Sequence, residues 1–430
     1  MILVTLGAPL SAALAAFAPQ LWAIGAAWAL GLVLLIVLDG SVAARLLSAD
    51  INVPKVGEVG TQVALEVDAF FSKNIRPRNL SASVELDGRL ENKGKADISL
   101  QAMSEVGHFG GQTQLHPNRR GQGDVGKLWV RWMGPLGLAW RQSTRANEQV
   151  VSITPNIAAV RSPTVQMFLR DSIFGLLARK FRGEGSEFEA LAEYQPGMDR
   201  RSIDWKGSAR HSKLLAKEYD TERNNQIVFA LDSGASMCEP VDGLPRIDRA
   251  VSAALLTSYV TMKAGDRVSL FSFAAKPEVS TPFLAGSQNF FRLQQAAAEI
   301  DYRHQESNFT LALSTLATSL KRRSLIVIFT DFTDPTSAEH MLEAAARLTS
   351  RHLVLFVVLD DEELLALTQA EPEDTDQVTQ SVTAAALLNQ KKLVVTRLKH
   401  MGIDVIESRH KDMGTRLINS YLKIKRRGSL

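Results

Sequence analysis

From Ile2 to Leu38 the chain contains no Asp, Glu, Lys or Arg, and Thr5, Ser11 and Gln20 are its clearly polar residues there. As one helix this run would be about 55 Å long, nearly twice the ~30 Å hydrocarbon core of a bilayer. Pro19-Gln20 sits near its middle. The expected structure is therefore a transmembrane helical hairpin, with legs of about Ile2–Ala18 and Leu21–Leu38 and the lipid bilayer as its partner. A cleaved signal peptide is the competing reading, because Ala16-Phe17-Ala18 has the small-residue look of a cleavage site. Against it, no Lys or Arg precedes the apolar run, Pro19 would follow the cut, and the second leg would still need a membrane. The tip near Pro19 is uncharged, whereas Arg45 and Lys55 follow the second leg. The positive-inside rule then places both ends, and the soluble body, in the cytoplasm.

A chain of 430 residues has room for two or three domains, and 45% hydrophobic with 22% charged residues excludes wholesale disorder. Its formal net charge of +3 gives no support to a nucleic-acid partner. Cys238 is the single cysteine, which excludes an intrachain disulfide framework and a multi-cysteine zinc site.

After the hairpin (residues 1–48), period-two alternation runs through 49–160. Val63, Leu65 and Val67 alternate with Ala64 and Glu66, and Leu80, Ala82, Val84 and Leu86 repeat the pattern. Leu128, Val130 and Trp132 do the same, with Gly57, Gly60, Gly88 and Gly134-Pro135 as punctuation. This predicts a small antiparallel β-sandwich. His108 and His116 read as loop histidines. Residues 161–225 form a connector, with a helix expected over Pro163–Arg182 and then a polar stretch rich in Arg, Asp and Trp. That stretch is either a solvated loop held by Arg–Asp pairs or a recognition surface, since Trp and Arg anchor interfaces.

Residues 226–430 alternate apolar runs with helical patterns. Strands are expected at Ile227–Leu231, Arg267–Phe273, Val279–Phe283, Leu325–Thr330, Leu353–Leu359 and Asp404–Glu407. Continuous apolar strands separated by helices mean a doubly wound, mainly parallel α/β sheet. In strand order 3-2-1-4-5-6 the first and fourth strands are neighbours, and ligands bind at the carboxyl ends where the order reverses. Asp232, Ser236 and Asp331 would meet there, and Thr310 would add a second hydroxyl. Such hard oxygens suit Mg²⁺, or Mn²⁺. Taken singly, each is equally an ordinary helix cap or turn residue.

The segment Asp232–Ser236, with Thr310 and Asp331, resembles the von Willebrand factor type A domain and its metal-ion-dependent adhesion site. Glu187–Arg210 resembles the signature of the bacterial domain of unknown function family 58. It matches at Glu187, Phe188, Leu191, Tyr194, Gly197, Asp199, Arg201, Ile203, Asp204, Trp205, Lys206, Ser208, Ala209 and Arg210. The hairpin and the β domain, with Arg120-Gly121 and Pro135-Leu136-Gly137-Leu138, fit the same family. The resemblance departs at Gly234, where the adhesion site has its first Ser, at Met198, where the signature has Asp, and at Gly134.

The resemblance implies a multi-pass protein of the bacterial inner membrane that binds proteins without breaking bonds. It implies a MoxR-type AAA+ ATPase as partner, in assembly or maturation of other membrane or envelope proteins. Gly234 implies a metal site short of one hydroxyl, with water in its place, which Gly234→Ser would tighten. Two alternatives remain: a metal-free scaffold, and a Mg²⁺-dependent phosphohydrolase with Asp232 as nucleophile. No P-loop, His-Glu-x-x-His or Gly-x-Ser-x-Gly motif is present.

Overall fold

The computed structural model describes residues 22–427 apart from 73–75, 164–166, 168–181, 184–186, 196–199, 212, 221–224, 333–334 and 372–373, and of residues 1–21 it describes 9, 12, 13 and 16. It divides into two compact units, Met1–Thr154 and Pro155–Leu430. The first hairpin leg and the expected helix over 163–182 lie almost wholly outside the described residues.

The first unit begins with α1, Trp22–Val42. Asp39 in its last turn is buried. Its Oδ1 accepts from the Leu136 amide at 2.7 Å, and its Oδ2 accepts from the Leu138 and Ala139 amides at 2.8 and 2.9 Å. Burial alone would raise the Asp39 pKa, but these amides, with Arg78 nearby, outweigh it and hold the carboxyl below its ordinary value. The last turn thus belongs to the β domain. The apolar part that remains, residues 22–38, is about 26 Å long. Among the described residues, no helix is long and apolar enough to cross a membrane.

The β domain has two sheets. One runs β1 (Leu46–Asn52), β3 (Val63–Phe71), β7 (His108–Leu115), β6 (Gln101–Ala102). The other runs β2 (Val56–Glu58), β10 (Gln149–Thr154), β8 (Gly121–Met133), β4 (Arg78–Leu86), β5 (Lys95–Ser99), with β9 (Trp140–Arg145) on β8. Every second residue of β3, from Val63 to Phe71, is buried, as are Leu80, Ala82, Val84 and Leu86 of β4. This is the alternation of a half-buried sheet. β10 and β2 pair in parallel, so the sandwich is not purely antiparallel. β1 starts at Leu46, ahead of the boundary drawn from sequence at 48. The histidine at 108 does more than fill a loop, since its Nε2 lies 2.7 Å from Asp68 Oδ1.

In the second unit, α2 (Ala158–Arg161) precedes a small sheet of β11 (Arg182–Gly183), β13 (Leu215–Asp220) and β12 (Glu187–Glu193). The short helix α3 (Trp205–His211) precedes β13 in the chain. The main sheet contains β14 (Gln226–Asp232), β17 (Arg267–Phe273), β18 (Pro277–Ser280), β20 (Ser324–Phe329), β21 (Leu353–Leu359) and β22 (Asp404–Ser408). Its order, β18-β17-β14-β20-β21-β22, is 3-2-1-4-5-6 in strand sequence. β14 pairs in parallel with both β17 and β20, while β18 is an antiparallel edge. Ile227, Phe229 and Leu231 face a core shared with α5 (Arg246–Lys263), α6 (Phe290–Ala298) and α11 (Met413–Arg426). Val228 and Ala230 face the other core, with α7 (Phe309–Ser319), α8 (Pro335–Thr349) and α10 (Thr375–His400). Burial on both faces is why these strands are apolar throughout. Short elements fill the connections: the helices α4 (Ala235–Cys238) after β14 and α9 (Glu362–Gln369) after β21, the strand pair β15 (Pro240–Val241) and β16 (Leu244–Pro245), and β19 (Leu284–Ala285) against β17.

Candidate functional site

β14 and β20 are neighbours, so Asp232 and Asp331 reach the same end of the sheet. They line one cleft of about 160 Å³ with Ser236, Glu239, Ser307 and Phe332. Thr310 is not among its lining residues. It is exposed in the first turn of α7, behind the cap Asn308, whose Oδ1 accepts from the Leu311 amide at 3.0 Å. Ser307, just before that cap, supplies a hydroxyl instead and donates to Asp232 Oδ1.

Asp232 is fully buried. Its Oδ1 also accepts from the Gly234 amide at 2.9 Å, and its Oδ2 accepts from Thr330 Oγ1 at 2.6 Å. Burial raises its pKa, and the bonds from Ser307, Thr330 and Gly234 oppose that rise. A Cβ on Gly234 would overlap Ser307 Oγ and sit 3.0 Å from the Gln305 carbonyl. Gly234→Ser therefore meets an occupied position, because the Ser307 hydroxyl already holds the space of the missing side chain.

Asp331 is engaged differently. Its Oδ2 pairs with Arg246 Nη1, and its Oδ1 lies 2.8 Å from Lys391 Nζ. The same two cations hold Asp361: Arg246 Nη2 at 2.5 Å from Oδ1, and Lys391 Nζ at 3.1 Å from Oδ2. Lys391 also donates to the Leu359 carbonyl at 2.6 Å. Two carboxylates and two cations thus form a closed, nearly buried ring with no net charge. Arg246 opens α5, where the helix dipole disfavours a cation. Its carboxylate partners Asp331 and Asp361 offset that cost, with the more exposed Glu239 Oε2 3.5 Å from Nη2 as a third. Burial lowers the Lys391 pKa, and Asp361 works against the shift.

Sequence reasoning missed Arg246, Lys391, Asp361 and Ser307. The residues present do not fit a resident divalent ion. The oxygens of Asp232 already accept from two hydroxyls and an amide, and Asp331 is neutralised by Arg246 and Lys391. Among the described residues, no group of three or more His, Cys, Asp or Glu side chains is placed to hold a metal.

Beside the ring lies a larger cleft of about 770 Å³. Arg246, Asp331, Asp361 and Lys391 contribute to its lining, with Phe332, Leu364, Leu367, Leu387 and Leu388 as apolar surface and Glu239, Asp242, Glu362 and Glu363 as acidic groups.

The signature segment forms part of the small sheet and α3. Glu187 lies on β12, and the Tyr194 amide bonds the Leu214 carbonyl at 2.7 Å. Gly197 and Asp199 lie outside the described residues. The Asp204 amide bonds the Leu215 carbonyl at 2.8 Å, and Ser208 Oγ donates to the Asp204 carbonyl at 2.7 Å. Trp205 is 69% exposed, and Arg201, Lys206 and Arg210 are exposed too.

Residues 191–386 match the family described as protein of unknown function DUF58. Uncharacterized proteins of Mycobacterium bovis and Mycobacterium tuberculosis are 25% identical over 213 residues, which is 48% of this chain and 66% of theirs. The matched part thus spans just under two thirds of those relatives. Two solved structures overlay loosely. The conserved hypothetical protein BatB from Bacteroides thetaiotaomicron is 14% identical with a TM-score of 0.26, over 42% of this chain and 99% of that one. The von Willebrand factor domain of the type V pili tip protein Mfa5 from Porphyromonas gingivalis is 10% identical with a TM-score of 0.32, over 48% and 96%. Neither overlay is close enough to bear on function.

Proposed function

We propose that this chain, which carries a DUF58 region over residues 191–386, is a membrane-associated protein-interaction module whose adhesion-type site works without metal. One observation carries this reading: the Arg246–Asp331–Lys391–Asp361 ring at the carboxyl ends of β20 and β21. In an adhesion site the ion fixes the acidic residues and presents charge to a partner. Here two protein cations fix them, and the adjoining 770 Å³ cleft supplies apolar walls and an acidic rim for a partner surface. Asp232, fully buried and accepting from Ser307, Gly234 and Thr330, is read here as a structural acceptor.

The family resemblance supplies the partner in this proposal, a MoxR-type AAA+ ATPase. It also supplies the setting, the assembly of other membrane or envelope proteins. Membrane association rests on α1, where Ile24, Leu30, Val33, Leu34, Val37 and Leu38 are exposed around the helix. A helix apolar all round needs apolar surroundings. In this proposal residues 2–38 form the hairpin, and the body is cytoplasmic. Carbonate extraction tests the association, and protease added to spheroplasts tests the side. Binding of the purified ATPase to the reconstituted full chain tests the interaction. Affinity should be the same in Mg²⁺ and in chelator, and should fall in Leu387→Asp. Binding that needs Mg²⁺ overturns the metal-free reading, and binding indifferent to Leu387→Asp removes the cleft as its seat.

A further inference from the structure

The two ends of the β-sandwich differ in a way the interaction reading does not use. At the end where α1 joins, the loop after β8 carries Leu136, 60% exposed, and Leu138, and β9 begins with Trp140, 45% exposed. The loop between β6 and β7 carries Met103 and Val106, the latter 74% exposed. Register places both loops at this end: Met133 pairs with Trp140, and Phe71, which pairs with Leu46 at the start of β1, donates its amide to the Gly107 carbonyl at 2.8 Å. Among the described residues, the turns at the opposite end, 59–62, 87–94 and 116–120, carry no exposed large hydrophobic residue, and the exposed Val56 and Val150 of that region lie on the strands β2 and β10 rather than on the tips.

Three facts identify what covers the apolar end. First, it is continuous with α1, because the Leu136, Leu138 and Ala139 amides all bond the Asp39 carboxylate one residue past the exposed Leu38. Second, the aromatic group sits where a bilayer interface favours one: Trp140 lies with the Arg131 guanidinium 4.2 Å from its ring centre. Third, exposed Arg45, Arg76, Arg78 and Arg141 surround these tips, against the single exposed acid Glu105 in the 103–107 loop. Apolar tips ringed by arginine match the acyl boundary and phosphate layer of an anionic membrane surface.

We infer that this end of the β domain is a second membrane contact, with Leu136, Leu138, Trp140, Met103 and Val106 entering the interface of an anionic bilayer and the arginines binding its phosphates. The inference rests on the reading of α1 as membrane-associated. It also fixes the β domain upright on the membrane, with the 87–94 turn pointing away.

The test uses the full chain in a Cys238→Ser background, reconstituted into vesicles of mixed zwitterionic and anionic phospholipid. Single spin labels are placed by Leu30→Cys on α1, Leu138→Cys on the loop and Lys93→Cys at the opposite end. Their accessibility to oxygen, which concentrates in lipid, is compared with that to a water-soluble nickel chelate. Leu30 and Leu138 labels should favour oxygen several-fold over the Lys93 label, and Arg76→Glu with Arg141→Glu should shift the Leu138 label toward water. A Leu138 label as wet as Lys93, with Leu30 still in lipid, overturns the inference and leaves the α1 reading standing. Leu30 and Leu138 both wet would overturn both.

Discussion

Replacing Arg246 by methionine keeps most of the side-chain volume and removes the charge from the ring at the sheet end. Asp331 and Asp361 would then share Lys391 alone, in a site where the Arg246 and Asp331 side chains are 8% and 2% exposed. Removing one partner of a buried pair costs about 3–5 kcal/mol, because the remaining charge stays buried. For a unit of this size roughly 2–4 °C of melting temperature goes with each kcal/mol, so a drop of about 6–20 °C is expected. One signature separates this from a plain packing defect. The variant should regain melting temperature with millimolar Mg²⁺, which the wild type should ignore. Differential scanning calorimetry of the reconstituted chain reads both. A variant as stable as wild type, or one whose loss Mg²⁺ does not change, would refute the ring as an internal substitute for the ion.

Trp205→Ala should leave melting within about 0.5 kcal/mol of wild type, because the side chain is largely exposed, yet weaken ATPase binding by about 2 kcal/mol if it is an interface anchor; unchanged affinity would remove that role. Gly234→Ser should destabilise by about 1–3 kcal/mol by overpacking against Ser307 and the Gln305 carbonyl, and should not create metal binding; a stabilised, metal-binding variant would contradict the packing described. Asp39→Ala should cost on the order of 2–3 kcal/mol by orphaning the Leu136, Leu138 and Ala139 amides. The Asp39 pKa is depressed in the folded protein, so its contribution is full above the ordinary carboxylate pKa and fades as pH falls through the lower folded value. Wild type and variant melts should converge in acid, and a gap that persists there would assign the loss to packing.

Much of the fold was legible because it is written in local pattern. The apolar runs ending at Asp232 and Asp331 are strands buried on both faces, and the expected order 3-2-1-4-5-6 is the order found. The alternation from Val63 to Phe71 marks one face of a sandwich. The ring was not legible, since its members come from α5, the β20 end, the β21 end and the middle of α10. Arg246 opens an amphipathic helix and Lys391 sits in a polar one, where cations ordinarily face water. The hydroxyl expected from Thr310 comes from Ser307 instead. The structure shows why the earlier residue serves: Asn308 takes the cap, which leaves Ser307 in the loop facing Asp232 and Thr310 on the helix surface. Asp39 read only as the end of an apolar run, because the three amides it binds lie about a hundred residues away in sequence.

Metal independence is the centre of this account, and a Mn²⁺ titration of the full wild-type chain, followed by the electron paramagnetic resonance signal of free Mn²⁺, tests it most directly. The Arg246–Asp331 and Lys391–Asp331 pairs predict that free Mn²⁺ rises in step with added Mn²⁺, as it does without protein, and that Asp232→Ala changes nothing. Stoichiometric uptake by the wild type, lost in Asp232→Ala, would contradict the account and return the ion to the sheet end.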